Sequence, residues 1–577
     1  MIDQYYRQEL DLLRRVAADF GRDNPTLAGL LREGSTDPDV ERLLEGTAFL
    51  AGDIRRDLDG RFPDLVQELL QIVSPHFLRP IPATTTIAFQ PAAGLREPLT
   101  VPAGTHLDSE TNGAGQFRFR TCFDVRVQPL QLSTVAVGEA VGTPDGGRSL
   151  PVAFRFSTGG VPLSELALDR IRLHFAGEYA EAADRYFFLR HYLRGVAIEG
   201  GGSRHDGGPE AVRAVGFDAE EALLPQPGNL LPAFRVAHEY FLYPRKHLYL
   251  DVDLTGWMPE PGATELEVRF LCEQPAFPVP DLQPEHFALH ATPAVNLFEA
   301  ESDPVTVDHT ATELPLRPRE ADPRPAVYSV DGLEGVSRAE GTRRRYKAFS
   351  AMEGDAESPT YQVHLRPEPR SGEARPALSV AYPQGGPTPG DEVLVARLTC
   401  TQGQGAERLA PGEIRIPTGE VPELVSFRNL DSPQPGTALH LDEEPLWHLL
   451  SDLSFNYLSF ADAENLRTFL THNVRMARRN ADQEGLNQKR VNGLQTLTGH
   501  REERLFGGYF VRGTALQGEV RQDHFLSRGD QYLFGCLLDA FFGGVCEANS
   551  FVALSFRDPN TGERTHWPAH LGTEPLL

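Results

Sequence analysis

Near residue 84 the apolar residues of this chain stop recurring every three or four positions and begin to recur every second one. A helix repeats at 3.6 residues and a strand at two, so the chain cannot be built from one kind of element. Before the change, Tyr6, Leu10, Leu13, Ala17 and Phe20 advance in steps of 4, 3, 4 and 3, the seam of a helix lying along another helix, and Asn24-Pro25 stops it. Asp37-Pro38 supplies the cap and first-turn proline of a second helix, with Val40, Leu43, Leu44, Ala51, Ile54 and Leu58 on one face. Pro63 begins a third, through Leu65, Val66, Leu69, Leu70 and Val73 to Ser74-Pro75. Three short amphipathic helices must cover their stripes, either on this chain's own body or against an assembly partner.

Beyond the change, Phe117 to Val127 alternates apolar with polar almost without fault, which predicts an antiparallel strand with one buried and one wet face. Val152–Phe156, Ile171–Phe175, Leu248–Leu254 and Leu266–Phe270 repeat the pattern between turn-rich segments, and one helical stretch, Ala180–Arg194, interrupts them. Between 311 and 420 Pro, Arg, Glu and Gly crowd together, as in Arg366-Pro367-Glu368-Pro369-Arg370, which predicts long excursions on a small sheet. Helices return at Pro445–Leu450, leading into Leu453 and Tyr457, and at Ala461–Leu470, before an α/β stretch from about 505. The expected fold is therefore multidomain α+β: N-terminal helices, antiparallel β-sandwich or barrel-like middle domains, and a C-terminal α/β region. The expected segments are a helical 1–82, a β-rich 83–310, a Pro/Arg/Gly-rich 311–420 and a mixed 421–577.

Charge narrows the function. With 55 basic against 81 acidic residues the net charge is −26, a field that repels nucleic acid. No apolar run has the length of a spanning helix, and Met1-Ile2-Asp3-Gln4 lacks the basic flank of a signal peptide, so the expected compartment is the cytoplasm, without direct membrane insertion. Cys122, Cys272, Cys400, Cys536 and Cys546 are too scattered for a zinc knuckle and read as reduced, mostly buried thiols.

Catalytic signatures are missing: there is no phosphate loop, zinc helix or nucleophile elbow. Gly200–Gly208 reads as a flexible loop tip. The pairs His238-Glu239, Asp308-His309 and Asp523-His524, taken as strand neighbours, point to opposite faces and cannot converge on one ion. Asp37/Asp39, Glu220/Glu221 and Glu443/Glu444 are the close carboxylates that helix caps and solvated loops provide, and Trp257, Trp447 and Trp567 lie too far apart in sequence to suggest a sugar platform. No catalytic residue, cofactor or metal is expected, and the chain reads as a non-enzyme.

Several segments in order carry a resemblance. Tyr5–Leu10, Asp37–Leu50, Phe62-Pro63, Ser74–Pro82, His238–Pro244, Pro293–Phe298, Tyr328–Asp331, Leu453–Ser459, Phe541-Phe542, Asn549–Phe551 and Trp567-Pro568 are similar to motifs of the TssF family, also called VasA or ImpG. These are baseplate wedge subunits of bacterial type VI secretion systems. The chain departs from the pattern at Gly543–Ala548, where an aromatic is usual before Asn-Ser-Phe. The resemblance implies a structural protein, two copies of which join one TssG, with TssE and TssK, in wedges around the VgrG hub that seed the contractile sheath. It implies a cytoplasmic baseplate docked on the inner-membrane complex. Val101–Leu107, with its Pro-Ala-Gly-Thr turn, also resembles wedge proteins of contractile phage tails. Two rival readings are a wedge subunit of a phage tail or extracellular injection particle, and a β-sandwich carbohydrate-active protein. The residues expected to meet a partner are Tyr6, Leu10, Leu13, Ala17 and Phe20.

Overall fold

The computed structural model describes residues 6–7, 10–16, 38–111, 113, 115–142, 148–166, 168–225, 232–319, 325–338, 341–349, 358–383, 392–441 and 460–572. The chain divides into two compact units, Met1–Ile72 and Val73–Leu577.

The first unit is helical at 10–16 and along Pro38–Val73, a single helix of 36 residues. The expected second and third helices are thus one, and Pro63 does not break it. A proline removes one main-chain hydrogen bond and costs roughly 3 kcal/mol in a helix interior. Here one buried face runs in phase on both sides of it: Ala48 and Val66 are buried and stand about five turns apart on the same side. Interrupting the helix between them would put that face out of register.

The second unit is built on sheets. The first has six antiparallel strands in the order Ile414–Pro417, His106–Ser109, Arg118–Thr121, Ala291–Val295, Thr84–Pro91 and Val425–Asn429. Its strands thus come from beyond 411 as well as from 84–295. The run Phe117–Val127 is not one strand. It bends at Cys122–Asp124, where Cys122 N–H donates to the Pro293 carbonyl (2.9 Å), Phe123 N–H to Thr292 Oγ1 (2.9 Å), and Asp124 Oδ1 accepts from Ala103 N–H (2.7 Å). Val125–Val127 then pairs with Leu99–Val101 in a separate ribbon. The expected turn before it is present, with Gly104 at φ 89°, a conformation that favours glycine.

Two further antiparallel sheets form the sandwich. One takes Ser203–Gly207, Leu193–Gly200, Glu265–Glu273, Arg148–Ser157 and Gln131–Val137, with Val141–Gly142 added on Arg148–Ser157; the other takes Val212–Ala214, Tyr249–Asp253, Arg170–Phe175 and Phe287–Leu289. Their inner faces meet where Phe154 of the first sheet sits 4.9 Å from Phe287 of the second; Phe270 (5.1 Å from Phe154) and Phe175 (5.4 Å from Phe287) extend the contact within their own sheets. The segment Gly200–Gly208 is a two-residue hairpin turn followed by the strand Ser203–Gly207: Gly201 and Gly202 both take positive φ (60° and 91°), the twist that such a turn requires.

A sheet of eight strands, from Phe298–Glu301 through Glu392–Thr401, encloses a core of its own around Leu333, Leu378, Leu394 and Leu398. The expected long excursion at Arg366–Arg370 is instead the end of the strand Thr360–Pro367 and the turn after it, and Leu314-Pro315 is itself a strand. The last sheet pairs Leu494–Phe506 with Tyr509–Val520, which runs parallel to Ser550–Arg557 across the crossover helix Arg528–Gly544. That helix begins at Ser527, whose Oγ accepts from Asp530 N–H (3.2 Å), and packs against Tyr179–His191 so closely that a Cβ on Gly529 would collide with the Ala183 carbonyl. Gly529→Ala should therefore destabilise this unit by about 1–3 kcal/mol, the cost of overpacking. An unchanged urea midpoint would contradict that reading.

Candidate assembly surface

The expected partner-binding seam begins on the short helix at 10–16. Leu10 is buried, Tyr6 and Leu13 are half-buried, and Ala17 and Phe20 lie outside the described residues. The apolar side chains left open on this helix are Leu12 and Val16, which stand one turn apart.

The larger open surface is on Pro38–Val73. Leu43 is 72% exposed, Leu50 64%, Leu65 51%, Ile72 47% and Leu69 38%. At 3.6 residues per turn these five fall within an arc of about 100°, facing away from Ala48, Val66 and Leu70. The helix is about 54 Å long, and these open side chains lie toward its two ends, at 43–50 and 65–72. A helix apolar on two sides is one with two coverings, and the described chain provides for one side only.

In the second unit the charged residues singled out by sequence turn inward. His238-Glu239 lies on the helix Pro232–Leu242, not on a strand, and Glu239 is fully buried. Its Oε1 accepts from the N–H groups of Leu223 (2.8 Å) and Leu224 (3.2 Å), while Oε2 accepts from Arg235 Nη1 (3.2 Å) and from Lys246 Nζ. Burial pushes the Glu239 carboxyl up, but Lys246 and Arg235 outweigh it and hold the group below the usual carboxylate range. Burial lowers the Lys246 ammonium, and Glu239 opposes that. The Glu239-Tyr240-Phe241 segment with Pro244 is thus a core joint, where Tyr243 also shares a 2.8 Å hydrogen bond between its hydroxyl and Thr86 Oγ1.

Arg479 was invisible to sequence reasoning. It is buried, has no carboxylate partner among the described residues, and donates to the carbonyls of Pro82 (3.0 Å), Leu242 (3.4 Å) and Pro435 and to Thr84 Oγ1 (2.9 Å). Burial lowers its guanidinium to about 9. A local signal existed for Glu239, since Arg235 precedes it by one helical turn; none exists for Arg479, whose partners come from three distant segments.

The other candidates do not converge. Glu221 is buried on Arg213 (3.0 Å) whereas Glu220 is exposed, and Asp37, Glu443, Glu444 and Trp447 lie outside the described residues, as does Leu453–Ser459. Trp257 and Trp567 are buried. Cys122, Cys272, Cys400 and Cys546 are buried and Cys536 partly so, all as free thiols. Among the described residues no three His, Cys, Asp or Glu side chains are grouped to hold a metal ion, and no helix is long and apolar enough to cross a membrane.

The second unit uses its buried charges to hold segments together and the first leaves apolar side chains open on a long helix, the marks of a subunit of a larger assembly. Solved structures place that assembly. A chain of the type VI secretion TssK-TssF-TssG baseplate subcomplex matches with a TM-score of 0.77 at 25% identity, covering 93% of this chain and 99% of that one. A chain of the type VI secretion baseplate complex matches in fold with a TM-score of 0.60 at 23% identity, each chain covered completely. The class is therefore that of a structural baseplate wedge component. In sequence, the type VI secretion system component TssF1 of Pseudomonas aeruginosa is 26% identical over 628 aligned positions, covering 100% of this chain and 99% of that protein. The family model for type VI secretion system TssF matches residues 1–574, and the chain belongs to that family.

Proposed function

We propose that this chain joins a TssG-like subunit through its N-terminal helical segment, residues 1–82, and that two copies share one TssG-like chain. The wedge so formed takes up TssE and TssK, surrounds the VgrG hub and seeds the sheath, in the cytoplasm at a baseplate docked on the inner-membrane complex. The role is structural and not enzymatic. The observation that carries this reading is the exposed stripe Leu43, Leu50, Leu65, Leu69 and Ile72. The seam of Tyr6, Leu10, Leu13, Ala17 and Phe20 also serves partner binding in this proposal, although Leu10 is buried in the chain alone. Its support is the solved relative, which sits in a TssK-TssF-TssG subcomplex.

Two double variants separate binding from folding. Leu43→Asp with Leu50→Asp alters exposed positions, so the chain alone should keep its stability within about 0.5 kcal/mol. The same change sets two carboxylates in a surface to be desolvated, and the complex with the TssG-like protein should be lost. Leu10→Asp with Leu13→Asp changes a buried and a half-buried residue, and should lower both stability and binding. Co-expression with the TssG-like protein, native mass measurement and thermal unfolding give the answer. A Leu43/Leu50 variant that still forms a complex of two chains per TssG-like partner would exclude the stripe.

A further inference from the structure

The strands Leu494–Phe506 and Tyr509–Val520 turn at Gly507-Gly508, with Leu505 opposite Phe510 and Phe506 opposite Tyr509. Tyr509–Val520 meets its other neighbour, Ser550–Arg557, only from Arg512 onward. The end of the ribbon is therefore two strands alone, an arrangement of marginal stability in water. One face leans on the sheet: the Arg504 guanidinium lies 5.3 Å over the Phe551 ring, and the Phe506 ring is 5.4 Å from the same ring. The other face carries the Glu503–Arg512 ion pair (2.8 Å) and then the Leu505–Phe510 pair.

The tip is conspicuously open. Phe510 is 80% and Leu505 62% exposed on one face, and Tyr509, on the face of Phe506, is 78% exposed. The charges behind it are matched within the ribbon, Arg512 to Glu503 (2.8 Å) and Arg504 to Glu502 (3.1 Å), so what it offers a partner is apolar contact. Its area then selects the occupant. Three such side chains can bury roughly 400 Å², against about 800 Å² on each side of an interface that holds two free proteins together. The tip is too small to capture a free protein. It suits one already tethered to this chain elsewhere, because a tether supplies the high effective concentration that a small contact needs.

We propose that the ribbon tip, Leu505, Tyr509 and Phe510, docks in an apolar groove of the TssG-like subunit held by the N-terminal stripe. This rests on the reading under Proposed function. The test uses the full chain with the photoreactive residue p-benzoylphenylalanine at position 510, mixed with the purified TssG-like protein of the same genome. Irradiation should cross-link position 510 to that protein. Tyr509→Ser with Phe510→Ser should weaken the complex about tenfold or more, while the chain's own unfolding temperature stays unchanged because both positions are exposed. A complex that forms with no cross-link to the TssG-like protein, or with cross-links only to a second copy, overturns the proposal. So does undiminished affinity of the double variant, or tip-dependent sedimentation with vesicles of phosphatidylethanolamine and phosphatidylglycerol. Failure of the unmodified chain to form any complex overturns the underlying reading, and this one with it; the two failures are therefore told apart by whether the complex exists.

Discussion

Glu239→Ala should cost the second unit about 3–5 kcal/mol, because it leaves two cations buried with no counter-charge. Arg235 and Lys246 are 3% and 0% exposed. The N–H groups of Leu223 and Leu224 lose their acceptor in the same step. The loss is not a measure of how much the cluster stabilises the fold, since desolvating three charges offsets most of their attraction. Replacing the set together, Arg235→Leu, Glu239→Leu and Lys246→Met, should therefore restore most of what the single change removes. Urea unfolding followed by intrinsic fluorescence checks both statements. A single variant within about 1 kcal/mol of the parent would mean that water enters the site and solvates the cations.

The alternating segments were legible because each strand needs only its own two faces to be recognised. Glu265–Glu273 shows the pattern in its burial, exposed or half-buried residues alternating with buried ones. What alternation does not encode is the neighbour. Phe117–Val127 keeps its period through Cys122–Asp124, yet the main chain there bonds to Thr292 and Pro293, and the two halves join different sheets. The first sheet likewise pairs Phe89 with Phe427, a choice made by packing across more than three hundred residues.

Helix boundaries failed for a different reason. Pro63 reads as a start from local chemistry alone, but a shared buried face on both sides outweighs one missing hydrogen bond. The apolar periodicity of 38–73 was legible, whereas the division of its leucines into covered and uncovered ones depends on what packs behind them. Read as strand, His238-Glu239 hides the i, i+4 relation of Glu239 to Arg235, which only the helix creates. The exposed pair at 509–510 was legible as residues and not as a site: Leu505 comes beside Phe510 only through the hairpin register.

Lowering the pH from 7 to 5 should destabilise the second unit by an amount comparable to a typical domain's whole stability. Burial lowers His174 to about 3, with Arg245 adding to it and a hydrogen bond to the Leu248 carbonyl opposing. It lowers His238 to about 4, where Glu239 opposes and Arg479 adds, and His290 to about 4 against a main-chain hydrogen bond with Phe89. His76 and His247 also lie well below the ordinary value, by burial first and then by His238 and Arg79 beside the one, and Lys246 and Arg235 beside the other. For a histidine depressed in the fold, the unfolded chain takes up the proton first. Stability is therefore full above about pH 6.5 and falls as the pH drops toward the folded value. At pH 5 each of His174, His238 and His290 contributes about 2 kcal/mol to that fall, some 6 kcal/mol together, against a usual total of 5–15. His570, raised by its hydrogen bond to Asp539, acts in the opposite direction, as do the carboxyls of Asp431 and Asp539, which burial raises. The overall charge also argues the other way: the net −26 shrinks as the pH approaches the isoelectric point near 5.1, relieving self-repulsion. That relief is spread over a large surface and screened by salt, whereas the histidines are buried and are not. Urea midpoints measured at pH 7.5, 6.0 and 5.0 in 0.15 M salt should decline steeply, and a midpoint that holds or rises toward pH 5 would show that surface repulsion dominates the buried imidazoles.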